Sequence, residues 1–152
     1  MDDKTKIELV KEFSSIDTES IKNLTSQLGE HSQPFTDDDL KAMLSSSGTD
    51  LLVARDSENK KIIAMITINV YRIPYVKKAY LDDFVVDGEY RGKGIGSTLF
   101  EKALEIAKEQ GAAYVDFTSN PKRIEGNKLY EKLGFKKRDT NVYRLTFNYE
   151  GL

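Results

Sequence analysis

Between Tyr80 and Gln110 three kinds of sequence follow one another without a break: an apolar run ending Phe84-Val85-Val86, a turn through Asp87-Gly88-Glu89-Tyr90, and Arg91-Gly92-Lys93-Gly94-Ile95-Gly96-Ser97 opening an amphipathic stretch. The pattern predicts a strand, a tight turn and a long helix from Gly92 to Gln110. Because Gly92, Gly94 and Gly96 carry no Cβ, consecutive backbone N–H groups can converge on one ligand. The helix that follows leaves its first amides unpaired and adds a partial positive charge of about half a unit. Arg91 and Lys93 stand beside that end, so the expected ligand is a multiply charged anion such as a pyrophosphate. The plainer alternative is a turn and a helix start with no ligand. The spacing is neither the nucleotide P-loop, G-x-x-x-x-G-K-[ST], nor the dinucleotide fingerprint, whose second spacing and ribose-binding acid are missing.

A second segment, Asn127-Lys128-Leu129-Tyr130-Glu131-Lys132-Leu133-Gly134-Phe135, follows downstream. With Arg91-x-x-Gly94-x-Gly96 after the strand Leu81 to Val86, it resembles the paired motifs of the GCN5-related N-acetyltransferases, in order and at the family's separation. The resemblance covers about 51–147 well and the first fifty residues in outline. It implies a single N-acetyltransferase domain over 1–152. The implied fold is a GNAT-type α/β acyltransferase, βααβββαβαββ, with a mixed central sheet and helices on both faces.

Composition narrows the chemistry. A chain of 152 residues suits one domain. With 23 Lys and Arg against 25 Asp and Glu, the net charge of −2 gives no reason to expect a nucleic-acid or acidic-membrane partner. The absence of cysteine excludes disulfides, thiolate metal sites and a cysteine nucleophile. Met1-Asp2-Asp3-Lys4 is charged with no apolar signal region behind it, and no run reaches the ~20 apolar residues of a membrane span, so a soluble cytoplasmic protein is expected.

Along the chain, Ile7, Leu9 and Val10 mark a short strand, and Ser14 to Asp17 a helix start with Asp17 or Thr18 as N-cap. Ile21, Leu24 and Leu28 continue that helix to Gly29. Thr36 to Asp39 opens a second helix carrying Leu40, Met43 and Leu44. Leu51–Arg55 and Lys61–Tyr71 read as a hairpin around Asp56–Lys60, and Val76–Val86 returns as a third strand after Ile73-Pro74. Ile95, Leu99, Ala103, Ile106 and Ala107 form the buried stripe of the long helix. Ala113–Thr118 should lie parallel to the strand before it. A helix over Glu125–Leu133 follows, and Phe135–Arg138 with Asn141–Phe147 reads as a final hairpin over Asp139-Thr140.

The resemblance implies acetyl-CoA as acetyl donor and a small-molecule primary amine as acceptor, with no metal. The pyrophosphate would rest on Arg91, Gly92, Lys93, Gly94, Ile95, Gly96 and Ser97, and pantetheine would run along Val85, Val86 and Asp87 by strand addition. Tyr130 takes the family's position for the proton donor to the departing thiolate, packing in the core being the alternative. Asn127 matches its cofactor contact, a surface or capping role being the alternative. Asp82 and Asp83 should face opposite sides of the strand, with Asp82 favoured as base, although water could relay the proton instead. Lys122 and Arg123 could reach the 3′-phosphate or adenine. His31, Gln33 and Phe35 in the loop between the first helices, Tyr71, Arg72 and Tyr75 near Pro74, and Tyr143 and Arg144 near the end are candidate acceptor contacts. A homodimer is admitted. A protein or peptide amine acetyltransferase and a noncatalytic acyl-CoA-binding module are the rival readings.

Overall fold

The computed structural model describes residues 4–29 and 33–147. Five strands line up in chain order: β1 (Thr5–Leu9), β2 (Thr49–Asp56), β3 (Ile62–Arg72), β4 (Lys77–Val86) and β5 (Val115–Asp116). The first four are antiparallel neighbours, and β5 runs parallel to β4. That parallel step needs a crossover, which α3 (Ile95–Glu109) supplies. Helices α1 (Ser15–Ser26) and α2 (Asp37–Ser45) precede β2, and α4 (Ile124–Lys132) follows β5.

The period of two along the strands sorts the core into layers. Leu51, Val53, Met65 and Val85 pack with Ile21, Leu24 and Leu40 of α1 and α2. Leu52, Ala54, Ala64, Ile66 and Ile68 turn the other way, toward Leu99, Phe100 and Ala103 of α3 and Tyr130 of α4. Both faces of the mixed sheet are therefore covered by helices. Among the described residues no helix is long and apolar enough to cross a membrane.

Local chemistry explains where elements begin. Thr36 Oγ1 accepts from the Asp39 N–H, while Asp39 Oδ2 accepts from the Thr36 N–H at 2.8 Å, a capping box that starts α2 where expected. The first helix departs from expectation: its N-cap is Ser14, and Asp17 lies inside the first turn, 3% exposed. Its carboxylate is engaged elsewhere, gripped at both oxygens by the Arg55 guanidinium at 2.6 and 3.0 Å. Arg55 also donates to Glu8 Oε1 at 2.8 Å and to the Lys60 carbonyl, so one side chain ties α1, β1 and β2 together.

Arg55→Ala should therefore lose about 3–5 kcal/mol, because Asp17 is left charged, buried and alone. For a chain of this size that lowers the melting temperature by roughly 10 °C. Hydrogen bonds from Lys6 and Arg55 hold the Glu8 carboxyl below its usual range. A depressed carboxyl stabilises the fold above the ordinary glutamate pKa and loses that contribution as pH falls through the folded value. The gap between the two proteins should thus narrow on acidification below about pH 4 in paired thermal melts.

The chain's end corrects the expected final hairpin. Neither Phe135–Arg138 nor Asn141–Phe147 forms a strand, and every residue from Lys136 to Phe147 is exposed. The expected ββ ending is thus absent among the described residues. The strand expected over Ala113–Thr118 is also shorter, pairing only at Val115 and Asp116.

Candidate active site

The glycine turn is built from β4 outward. Asp87 N–H donates to the Ile63 carbonyl at 2.9 Å, and the Asp87 carboxylate caps a 3₁₀ turn over Gly88–Tyr90 through the Glu89 N–H. Helix α1 fastens the same corner: Asn23 Nδ2 donates to Asp87 Oδ2 at 3.0 Å, and Gln27 Oε1 accepts from the Gly88 N–H at 3.0 Å. In the sequence Asn23 and Gln27 look like any polar residue on an exposed helix face.

The chain then enters Gly92 and Gly94 at φ of +76° and +80°, which residues with a Cβ adopt only at a cost. Gly94 is the N-cap, so α3 begins at Ile95, three residues later than the expected start at Gly92. Among the described residues, the N–H groups of Gly92, Gly94, Ile95, Gly96 and Ser97 donate to no protein acceptor, and the helical ladder starts with Thr98 N–H to the Gly94 carbonyl. Gly96 has a different reason for lacking a side chain: a Cβ there would lie 3.2 Å from Val86 Cγ2 and 3.4 Å from Phe84 Cζ. Its absence lets the open end of α3 close onto β4.

Beside this turn the sheet splits. Strand β4 pairs with β5 only at Ala79 and Tyr80, leaving the stretch to Val86 without a neighbouring strand on that side among the described residues. Between Thr67 and Met65 of β3 the register shifts, and Asp83 sits at φ +50°, so β4 bulges there. Beyond the bulge the alternation puts the backbone of Val85 and Asp87 toward β3 and that of Phe84 and Val86 toward the split. Two arginines reach into the opening: Arg123 Nη2 donates to the Phe84 carbonyl at 3.2 Å, and Arg91 Nε to the Val86 carbonyl at 2.9 Å. Asp87, grouped in the sequence with the pantetheine contacts, spends its N–H, carbonyl and carboxylate within the protein.

Tyr130 closes the far side of the split. It is 6% exposed, its ring packed against Phe117, Phe100 and Phe135 with centroids 4.5, 5.2 and 6.4 Å away. Burial pushes the phenol above its usual pKa of 10.0, opposed by the Arg123 charge and the neighbouring Ser119 hydroxyl. Ser119 Oγ is itself buried and makes no bond of hydrogen-bonding geometry among the described residues. An orphaned hydroxyl is costly unless something completes it, and here it adjoins the phenol expected to handle a proton. Asn127 Nδ2 donates to the Asn120 carbonyl at 3.0 Å, clamping α4 to the loop after β5.

Asp82 lies opposite Thr67, on the α1/α2 face of the sheet. Asn69 Nδ2 donates to Asp82 Oδ2 at 2.9 Å, and Thr49 Oγ1 donates to Asn69 Oδ1 at 2.9 Å, a polar line across three strands. Partial burial raises the Asp82 carboxyl above the ordinary aspartate value, with the charge of Asp83 adding to it. The rest of the side chain opens to solvent. Alternation alone would send Asp83 to the opposite face; the bulge takes it out of that pattern.

A groove of about 970 Å³ runs between α1 and α2, lined by Lys22, Gln33, Phe35, Asp39 and Met43 among others. It holds two of the three expected loop contacts, His31 lying outside the described residues, but neither Asp82 nor the glycine turn. Tyr71, Arg72 and Tyr75 sit at the opposite end of β4 from that turn, where Lys78 Nζ approaches the Tyr71 ring at 5.7 Å. Tyr143 and Arg144 are exposed on the terminal segment and are not brought to the site. Among the described residues no group of three or more His, Asp or Glu is placed to hold a metal ion.

A strand opened at a bulge is thus followed by unpaired amides at a helix start, the kind of end that suits an anion. The chain belongs to the acetyltransferase (GNAT) family, whose model matches residues 17–135. It is 29% identical over 107 residues to N-acetyltransferase 8B of Homo sapiens, covering 69% of this chain and 46% of that protein. It is 37% identical over 63 residues to the glucosamine 6-phosphate N-acetyltransferase of Trypanosoma brucei brucei, covering 41% of each. The chain spans less than half the length of the curated relatives it matches. Among solved structures, a Trypanosoma brucei acetyltransferase superposes with a TM-score of 0.78 at 23% identity, over 94% of this chain and 99% of that one. An aminoglycoside acetyltransferase from an uncultured soil metagenomic sample gives 0.76 at 19%, over 96% and 97%. At such identities the structures establish likeness of fold alone.

Proposed function

We propose that residues 1–152 form one domain that transfers an acetyl group from acetyl-CoA directly to a primary amine of a small molecule. The observation that carries this reading is the set of unpaired amides from Gly92 to Ser97 beside the split of β4 from β5. Those amides, with Arg91 and Lys93, would hold the pyrophosphate, and the outward backbone of Phe84 and Val86 would meet the pantetheine amides once Arg123 and Arg91 let go. Acetyl-CoA supplies the activated acetyl group. The protein's own tasks are to position it, to receive a proton from the amine at Asp82, and to hold one at the Tyr130 phenol. Several relatives favour a small acceptor by name, among them the glucosamine 6-phosphate enzyme and a thialysine N-epsilon-acetyltransferase of Sus scrofa, 34% identical over 80 residues.

A thiol-reagent assay of CoA release over polyamines, amino sugars and amino acids tests this cleanly, because the chain has no cysteine to contribute background. With an accepted amine, the acidic limb of kcat/KM should sit above the usual aspartate range. Asp82→Asn should abolish that limb and lower the rate about 10²-fold. Failure to bind acetyl-CoA, together with no release from any amine, would overturn the function. An acidic limb unchanged in Asp82→Asn would remove Asp82 from the role of base.

A further inference from the structure

We infer that Tyr90 is a positioning residue for the anion site: anchored by Asp56 of the β2–β3 turn, its ring holds the Lys93 ammonium ready for the pyrophosphate. This rests on the proposed pyrophosphate grip and adds to it two side chains from outside the glycine turn. Lys93 Nζ lies over the Tyr90 ring, 5.2 Å from its centroid, within the range at which a cation is drawn to the ring's negative face. The ring cannot drift. Tyr90 Oη donates to Asp56 Oδ2 at 3.1 Å across 34 positions of chain, the Tyr90 N–H donates to the Asp87 carbonyl at 2.9 Å, and the side chain packs on the core beside α3.

Asp56 is itself aimed by its turn. Its Oδ1 accepts from the N–H of Glu58 at 2.8 Å and of Asn59 at 3.3 Å, and Oδ2 accepts from Asn59 Nδ2 at 3.3 Å. The Glu58 N–H above all holds the Asp56 carboxyl below its usual range, and the Asp56 bond in turn pushes the Tyr90 phenol up. At neutral pH a charged carboxylate, a protonated phenol and an ammonium therefore stand in line. A phenol donating to a carboxylate keeps more electron density on its ring, so the Asp56 bond strengthens the ring's hold on Lys93. Among the described residues no carboxylate forms an ion pair with Lys93. An ammonium has three donors, and those turned away from the ring are left for a phosphate. Ordering a flexible lysine before the ligand arrives removes part of the entropy cost of binding.

Calorimetry of acetyl-CoA beside S-acetylpantetheine, which has no pyrophosphate, reads this role directly. Tyr90→Leu should weaken acetyl-CoA binding about fivefold and leave S-acetylpantetheine binding as in the parent. Tyr90→Phe keeps the ring and loses only the bond to Asp56, so its affinity should fall between the two. In a Lys93→Met background the loss from Tyr90→Leu should vanish, because the two side chains act as one. An equal loss for both ligands, or a loss that persists without Lys93, would make Tyr90 a structural residue and overturn the proposal. Tighter binding by Tyr90→Leu would show that the ring holds Lys93 away from the ligand, and would overturn it too. A folded parent that binds no acetyl-CoA would bring down the proposed function and this inference with it, whereas the other adverse results touch the inference alone.

Discussion

Tyr130→Phe is expected to bind acetyl-CoA with the parent's affinity and to turn over about 10²- to 10⁴-fold more slowly, the usual loss when a positioned proton donor is removed. The substitution separates two roles that the site superposes. The Tyr130 ring belongs to a cluster with Phe100, Phe117 and Phe135, and phenylalanine keeps every one of those contacts. Only the hydroxyl goes. Since burial holds the phenol above pH 10, it remains protonated across the neutral range, and its ionisation should place no basic limb there. A purely structural tyrosine, or a noncatalytic acyl-CoA sensor, predicts the same melting temperature and unchanged CoA release. Stopped assays of release, beside calorimetry of acetyl-CoA binding, tell the readings apart.

How far the chain could be read in advance follows the reach of the forces involved. The capping box at Thr36 and Asp39, the turn at Asp56 and the apolar stripe of α3 are made by residues a few positions apart, so their spacing reveals them. Arg55 and Asp17 are 38 positions apart, and nothing near either announces the pair that moves the start of α1 to Ser15. The bulge at Asp83 was equally hidden, because Asp82-Asp83 alternates acceptably on paper; the shifted register appears only against β3. Phe100 lies one position past the α3 stripe at Leu99, yet it centres the aromatic cluster because Phe84, Phe117, Tyr130 and Phe135 converge there from four segments. The candidate site divides the same way. Its glycine turn was legible, while Asn69, Asn23 and Gln27 act through partners distant in sequence. The final hairpin follows from alternation and from the family's order of elements, but Asp139-Thr140 offers neither the Gly nor the Asn that a two-residue turn prefers.

Gly96→Val should weaken acetyl-CoA binding by at least tenfold, about 1.4 kcal/mol, while leaving the protein folded. Gly96 has helical rather than left-handed backbone, so conformational strain is not the reason. A Cβ there would stand 3.2 Å from Val86 Cγ2, tight enough that α3 or β4 must give, and valine adds two further methyl groups. Overpacking of this kind costs about 1–3 kcal/mol of stability. The displacement falls on the first turn of α3, whose Ile95, Gly96 and Ser97 amides are the proposed anion grip. Gly94→Ala supplies the contrast: nothing lies within 4 Å of its Cβ, but φ of +80° puts a cost of about 1–2 kcal/mol on holding the turn's shape. Two unrelated injuries, one of packing and one of backbone, should therefore reach the same ligand. If calorimetry found the parent's affinity in a protein carrying both, the pyrophosphate would have to lie elsewhere, and the reading of this turn would fall.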